Sequence, residues 1–390
     1  MSTNFDEVIN RFWTNCVKWD GLVAEYGQEV IPLSVADMDL RAPQAIVDEA
    51  VRMAQHGIFG YTELYPPYFE AVQGWMKRAY TWDIPQEWIV FSPRIVQAFS
   101  IILQKFTDIG DRVLMHTPAY QPIAKAITEN DREYVESPLI YRNGRYEMDF
   151  DDMERHMKKG IKLLLLCSPH NPTGRVWNSL ELARLADLCT LYDVLIVSDD
   201  IHADFIRSGH EHTVIAKLSE RIAQRSIICT SPSKTFNLAS LEIANIIIPN
   251  ENLRAKFKKG LIEAGIHNPT FFAVPICETA YTACDGWLEE VKSYIEGNIH
   301  FVKQFFAKHF PELHVVEPEG TYLLWIDCTS FDKKDEKLKR WILDESKVSV
   351  SFGTSFGTQG EGFIRLNVAT SRVTLEEALQ RMAVTYQSMQ

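Results

Sequence analysis

Five short aliphatic runs, Arg112-Val-Leu-Met115, Ile161-Lys-Leu-Leu-Leu-Leu-Cys167, Val194-Leu-Ile-Val197, Ser226-Ile-Ile-Cys229 and Ile243-Ala-Asn-Ile-Ile-Ile248, alternate with amphipathic segments of helical length. The runs are nearly continuous in apolar residues, the pattern of strands buried on both faces of a mostly parallel sheet. Between two of them, Leu180 to Tyr192 carries apolar Leu182, Leu185, Ala186 and Cys189, a single buried helical stripe. The chain therefore reads as α/β, with a mostly parallel central sheet and helices on both faces.

From about residue 286 the texture changes. Trp287 to Phe310 reads as a long amphipathic helix, Gly320 to Asp327 as a strand, Lys333 to Glu345 as a helix and Gly362 to Val368 as a strand. These elements predict a smaller α+β domain. No internal repeat and no low-complexity tract interrupts the chain.

In an open parallel sheet, ligands bind beyond the carboxyl ends of the strands. The loops predicted at those ends are polar: Pro118-Ala-Tyr120, Ser168-Pro-His-Asn-Pro-Thr-Gly174, Asp199-Asp-Ile-His202 and Ser231-Pro-Ser-Lys234. Lys234 is the only lysine between Lys217 and Lys256, and a lysine just past a buried strand is poised for covalent chemistry. Phe91-Ser-Pro-Arg-Ile-Val-Gln97 precedes the helix-like stretch Ala98 to Thr107, and free N–H groups at a helix start receive a phosphate well. Arg365 interrupts the apolar Phe363-Ile-Arg-Leu366; its planar fork fits a carboxylate bidentately.

Composition narrows the function classes. With 390 residues, 46% hydrophobic and 24% charged, the chain can bury a large core and more than one domain. A formal charge of −12 argues against nucleic-acid binding, which relies on clustered Lys and Arg. The first residues lack a basic segment followed by an apolar one, and no apolar stretch approaches the roughly 18 residues needed to span a bilayer. No membrane partner is expected, and a cytoplasmic location follows. Seven cysteines without a C-x-x-C pair read as reduced core thiols. Ser231-x-x-Lys234 matches the nucleophile pattern of penicillin-recognising hydrolases, but Lys234-Thr-Phe stands where Lys-Thr-Gly is required. Asp199, Asp200, His202, Asp204, His210 and His212 cluster in sequence without a helical His pair or a closed ligand set, so no metal is expected.

The ordered motifs Lys18-Trp-Asp20, Val35-Ala-Asp-Met-Asp39, Gly57-Ile-Phe-Gly-Tyr61, Ser168 to Trp177, Asp200-Ile-His202, Pro232 to Ala239, Gly320-Thr-Tyr-Leu323 and Gly362 to Asn367 run nearly end to end. Together they resemble the fold-type I pyridoxal phosphate-dependent aminotransferase superfamily and, within it, the cystathionine β-lyase branch of C–S lyases. The resemblance implies an N-terminal segment, residues 1–45, packed with the small domain, a large cofactor-binding domain over 46–285 and a small C-terminal domain over 286–390. It implies pyridoxal 5'-phosphate held covalently by Lys234, which then acts as the base at the substrate Cα. Asp199 would face the pyridine nitrogen, Tyr120 stack on the ring, and Asn171 and His202 contact its phenolic oxygen. Ser231, Ser233 and the amides near Val96 and Gln97 would take the phosphate, helped by Tyr61 from the second subunit of a homodimer. Arg365 would anchor the substrate carboxylate, with Ala36 close by.

Each role has a plainer structural alternative: a helix cap for Asp199, turn residues for Asn171 and the two serines, and a satisfied histidine for His202. For Tyr120 it is a surface aromatic, for Tyr61 a core aromatic and for Arg365 an ion pair. Ser34, Arg94, Asp200 and Ser240 depart from the branch, standing where many members have Trp, Gly, Glu and Gly. The implied activity is β-elimination from L-cystathionine or a related cysteine S-conjugate to a thiol, pyruvate and ammonia. A class I/II aminotransferase uses the same residues, and a regulator acting through a protein-binding surface is a third reading.

Overall fold

The aliphatic runs lie side by side in a seven-stranded sheet in the computed structural model, which describes residues 3–331 and 333–389. Its strands are β1 (Ile89–Ser92), β2 (Arg112–Thr117), β3 (Glu133–Pro138), β4 (Ile161–Cys167), β5 (Leu195–Asp199), β6 (Ser226–Thr230) and β7 (Ala244–Ile247), in the spatial order β1-β7-β6-β5-β4-β2-β3. From β6 to β3 all neighbours pair in parallel, whereas β7 runs antiparallel to both β6 and β1. β7 therefore presents its leading residues, Glu242 and Ile243, at the same sheet edge as the carboxyl ends of the others.

Burial explains why the runs are continuous. Val113, Met115, Leu163, Leu165, Val197 and Ile227 face one cluster with Ala98, Phe99 and Ile102 of the helix Ile95–Phe106. Leu114, Leu164, Leu166, Ile196 and Ile228 face a second cluster with Leu182, Leu185, Ala186 and Cys189 of the helix Ser179–Leu191. With both faces covered, a polar side chain within a strand is costly unless it finds a partner. Asn178 starts the latter helix with a capping box: its Oδ1 accepts from the Leu180 and Glu181 amides at 2.9 Å, and Glu181 accepts from the Asn178 amide at 2.9 Å.

The C-terminal elements form an antiparallel sheet of β8 (His314–Val315), β9 (Leu323–Asp327), β10 (Ser351–Phe352) and β11 (Phe363–Asn367), ordered β8-β9-β11-β10. The long helix expected from Trp287 spans Asp285–His309. The helix expected over 333–345 is α-helical only over Asp335–Lys339 and then widens to a π-helical turn, Arg340–Glu345. There both the amide and the hydroxyl of Ser346 donate to the Trp341 carbonyl, while the buried Trp341 indole is fixed to the Met382 carbonyl at 3.0 Å. Among the described residues no helix is long and apolar enough to cross a membrane. All seven cysteines are unpaired, and all but Cys16 are buried.

Two devices join the sheets. Arg175, fully buried, bonds the Tyr146 carbonyl at 2.6 Å and pairs with Glu181 and Glu319, and Glu319 also accepts from the Val176 amide at 2.9 Å. This holds the loop after β4 against the approach to β9. The second device is the segment 31–40. Ile31–Pro32 pairs in parallel with Val348–Ser349, and Asn367 Nδ2 donates to the Val35 and Asp37 carbonyls at 2.7 Å each. Asn237 donates to the Met38 and Leu40 carbonyls at 3.0 Å each. Asp39 is buried against Lys18 at 2.7 Å, Arg11 at 2.6 Å and the Trp19 indole at 2.8 Å. Burial alone would raise its carboxyl, but Lys18, Trp19 and Arg11 together hold it below the usual range.

Removing one partner of such a buried cluster leaves an uncompensated charge, a loss of about 3 kcal/mol. Lys18→Met is therefore expected to lower the free energy of unfolding by about that amount, read from the urea midpoint. An unchanged midpoint would mean that the cluster does not hold the segment.

Candidate active site

β2, β4, β5 and β6 are neighbours with the same direction, so the loops that follow them open at one sheet edge. Tyr120, Asn171, Asp199, His202, Ser231, Ser233 and Lys234 from those loops line a single cavity of about 580 Å³. The wall is completed by Pro93 to Val96 beyond β1, Glu242 and Ile243 before β7, Ser34 to Ala36 from the N-terminal segment, and Ser351 and Arg365 from the small sheet.

Lys234 lies in a short helical turn, Pro232–Thr235, which Ser231 caps by accepting from the Ser233 amide at 3.1 Å. Its Nζ donates to the Ala36 carbonyl at 2.7 Å, and the Tyr322 hydroxyl donates to the same oxygen at 3.0 Å. Burial pushes the Lys234 ammonium down to about 8; the Arg365 and Lys18 charges push the same way, and Asp37 and Asp199 oppose them. An amine with that pKa is a nucleophile and a base near neutrality.

Asp199 closes β5 and is buried, with one oxygen accepting from the Ile201 amide at 3.3 Å. Burial pushes its carboxyl up to about 7, the neighbouring Asp200 adds to the rise, and the Ile201 amide and Lys234 oppose it. The helix-cap alternative is not met, since the following residues form turns and no helix starts there. Asp200 is occupied elsewhere, bonded to the Ser198 hydroxyl at 2.5 Å and His212 Nε2 at 3.0 Å. Asp204 holds Thr235 Oγ1 at 2.5 Å and the Tyr80 hydroxyl. Of the acidic and histidine residues that cluster in sequence, Asp200 and His212 thus pair with each other, while Asp199 and Asp204 take other partners.

Arg365 sits mid-strand in β11, buried, opposite Trp325 and Ser351. Its partners are all neutral: Asn171 Oδ1 at 2.9 Å, the Ser34 carbonyl at 2.9 Å and Ser351 Oγ at 3.1 Å, with Phe356 under the guanidinium at 4.8 Å. Nε has no partner among the described residues. Burial pulls its pKa down to about 10, although Tyr120 and Tyr322 support the charge. A buried cation held only by neutral groups is complementary to an incoming carboxylate, and the ion-pair alternative falls. Asn171 is buried and spans from Arg365 to the cavity.

His202, buried edge-on against Tyr322 at 5.8 Å, keeps Nδ1 without a partner among the described residues. Burial, then the Lys234 and Arg365 charges, hold it well below the usual histidine range, so it stands neutral. Tyr120, at the start of the helix Gln121–Glu129, remains 38% exposed toward the cavity. Ser231 donates to the Ile243 carbonyl at 2.7 Å and shares a 2.7 Å bond with Ser233. Val96 lines the cavity in the first turn of the helix Ile95–Phe106, while the Gln97 side chain is exposed and outside the lining. Tyr61, like Gln97, is outside the cavity lining, and at 101% exposure it is no core aromatic.

Sequence reasoning left Tyr322, Ser34, Ser351 and Glu242 unassigned. Tyr322 lies inside a quoted motif, Gly320-Thr-Tyr-Leu323, and only its contact with Ala36 reveals a role. Ser34 acts through its carbonyl, which no side-chain pattern announces.

A buried lysine of lowered pKa and a buried carboxylate at one sheet edge, in a cavity shared with an arginine whose partners are neutral, have the features of a lysine-dependent enzyme site of the α/β class. The chain belongs to the class I and II aminotransferase family, whose model matches residues 28–382. It is 39% identical over 381 residues to cystathionine beta-lyase PatB of Bacillus subtilis (strain 168), across 97% of this chain and 98% of that protein. Cystalysin from Treponema denticola, whose crystal structure contains a pyridoxal 5'-phosphate cofactor, superposes with a TM-score of 0.97 at 35% identity over 100% of both chains. The pyridoxal phosphate-bound C-S lyase from Staphylococcus hominis superposes with a TM-score of 0.93 at 34% identity, over 99% of this chain and 98% of that one.

The side chains present fit that cofactor. Lys234 would supply the amine, Asp199 a buried carboxylate for a protonated ring nitrogen, the unpartnered His202 nitrogen and Asn171 contacts for a phenolic oxygen, and the Ile95 helix start with Ser231 and Ser233 a phosphate cradle.

The depressed Lys234 pKa sets a pH expectation for the cofactor-free protein. Below about 8 the amine is protonated and inert; above it the amine is neutral and reacts. Competitive acylation should give a midpoint for Lys234 near 8, not at the 10.5 of an exposed lysine. A midpoint near 10.5 contradicts the buried, near-neutral amine.

Proposed function

We propose that the protein is a pyridoxal 5'-phosphate-dependent carbon–sulfur β-lyase acting on L-cystathionine or a related cysteine S-conjugate. The observation that carries this reading is the placement of Lys234, Asp199 and Arg365 around one cavity, in a chain 39% identical to a cystathionine β-lyase over nearly its whole length.

When bound, the cofactor supplies an electron-withdrawing ring that acidifies the substrate's Cα–H bond. Asp199 keeps a proton on the ring nitrogen, which strengthens that withdrawal. Arg365 receives the α-carboxylate and so fixes which Cα bond faces Lys234. Lys234, which would hold the cofactor, is the base placed to take the Cα proton once its amine is free. Asn171 bridges the carboxylate and cofactor ends of the site through its bond to Arg365. Tyr120 covers the open face. The β-carbon–sulfur bond breaks with its electron pair leaving on sulfur, and water completes the products: from L-cystathionine, homocysteine, pyruvate and ammonia.

The segment Gly57 to Tyr65 supports a homodimer. Ile58, Phe59, Tyr61 and Tyr65 are 66%, 63%, 101% and 64% exposed, an apolar arm suited to a partner surface. In this reading Tyr61 reaches the phosphate end of the second subunit's cavity, and the enzyme works in the cytoplasm. Sedimentation of the active species at twice the 44.8 kDa chain mass is expected; an active monomer contradicts it.

An aminotransferase would use the same lysine, aspartate and arginine, so the decisive assay is stoichiometric. L-Cystathionine should give equal thiol and pyruvate over many turnovers with no 2-oxo acid added. Turnover that strictly requires a 2-oxo acid and yields a new amino acid would move the protein to the aminotransferases.

A further inference from the structure

Three cations line the cavity: Lys234, Arg365 and Arg94. Lys234 is committed to the cofactor aldehyde. Arg365 is held at the other end by Asn171, Ser34 and Ser351. A phosphate resting on the helix start and on Ser231 and Ser233 therefore has one remaining cation in the lining for charge compensation. Arg94 is the residue immediately before the helix Ile95–Phe106, in extended conformation, and its side chain makes no capping bond. Its guanidinium instead pairs with Glu242, which leads into the antiparallel strand β7 and lines the same wall. Because β7 alone runs backwards, an acid before its first residue meets a base after the last residue of β1.

We infer that Arg94 is a ligand of the cofactor phosphate, and that Glu242 is its competing partner, tuning how tightly the cofactor is held. The inference rests on reading this cavity as the pyridoxal phosphate site. The Arg94–Glu242 pair is half exposed, at 63% and 36% for the two side chains, and such pairs are cheap to break. An arginine–phosphate contact is charge-assisted and can be bidentate. Arg94 thus gains by exchanging a carboxylate for a phosphate, while the Glu242 charge left at the rim repels the same phosphate.

The test compares two aldehydes on the cofactor-free protein, pyridoxal 5'-phosphate and pyridoxal, which differ only in the phosphate. Arg94→Ala should weaken pyridoxal 5'-phosphate by about tenfold and leave pyridoxal within about twofold, and Arg94→Lys should recover part of the loss. Glu242→Gln should tighten pyridoxal 5'-phosphate severalfold in the parent and by a smaller factor in the Arg94→Ala background, where only the direct repulsion of the phosphate is left to remove. Equal dissociation constants for parent and Arg94→Ala overturn the inference, as does a loss of the same size for both aldehydes, which would mark a structural role at the helix start. If neither aldehyde forms a borohydride-reducible bond with the parent, the cavity reading itself fails and Arg94 falls with it.

Discussion

Lys18 and Asp39 meet at 2.7 Å with the lysine side chain wholly buried, and Arg11 and Trp19 close on the same carboxylate. Burying these charges is costly unless each is fully partnered, so the cluster is satisfied in one arrangement of the N-terminal segment. That arrangement lays Ser34 to Leu40 across the open edge of the large sheet. Two backbone oxygens follow from it: the Ala36 carbonyl that receives Lys234 and Tyr322, and the Ser34 carbonyl that receives Arg365. The segment is stitched on one side by Asn237 from the loop after Lys234 and on the other by Asn367 from β11. Lys234 and Arg365 are thereby registered to one strip of backbone, although 131 residues separate them in sequence.

The same burial sets the chemistry of the cavity. It lowers Lys234 to about 8, raises Asp199 to about 7 and lowers Arg365 to about 10. In each case removal from water is the largest cause and nearby charges only modify it. Lys234 and Asp199 are brought toward neutrality, where a small electrostatic change transfers a proton. Arg365 keeps its charge and, with no acid paired to it among the described residues, its capacity to attract one. In the proposed reading, a substrate carboxylate and a protonated ring nitrogen would relieve the unfavourable burial of Arg365 and of ionised Asp199.

Much of this was legible in sequence because it is local. Continuous aliphatic runs announced β2, β4, β5 and β6, and the polar residues immediately after them had to gather where those strands end. Arg365 stood out as a charge inside an apolar strand. The direction of β7 was not legible, since Ile243 to Ile248 is as apolar as its parallel neighbours, and nothing local shows that Glu242 meets Arg94 148 residues earlier. Nor was β1, whose four residues Ile89–Ser92 are too short to show a pattern. The π-helical turn at Arg340–Glu345 escaped for a different reason: its cause is the non-local seating of Trp341 on Met382. Tyr61 shows the limit of residue type alone, because the same aromatic suits a core or a partner surface and only its exposure separates them.

The central claim is that Lys234 carries the cofactor in this cavity, and it can be read directly from the protein as isolated with its cofactor. Borohydride reduction followed by proteolysis and mass spectrometry should place one phosphopyridoxyl group per chain on the peptide bearing Lys234. Modification of a different lysine, or an active protein with no modified lysine, would contradict the account.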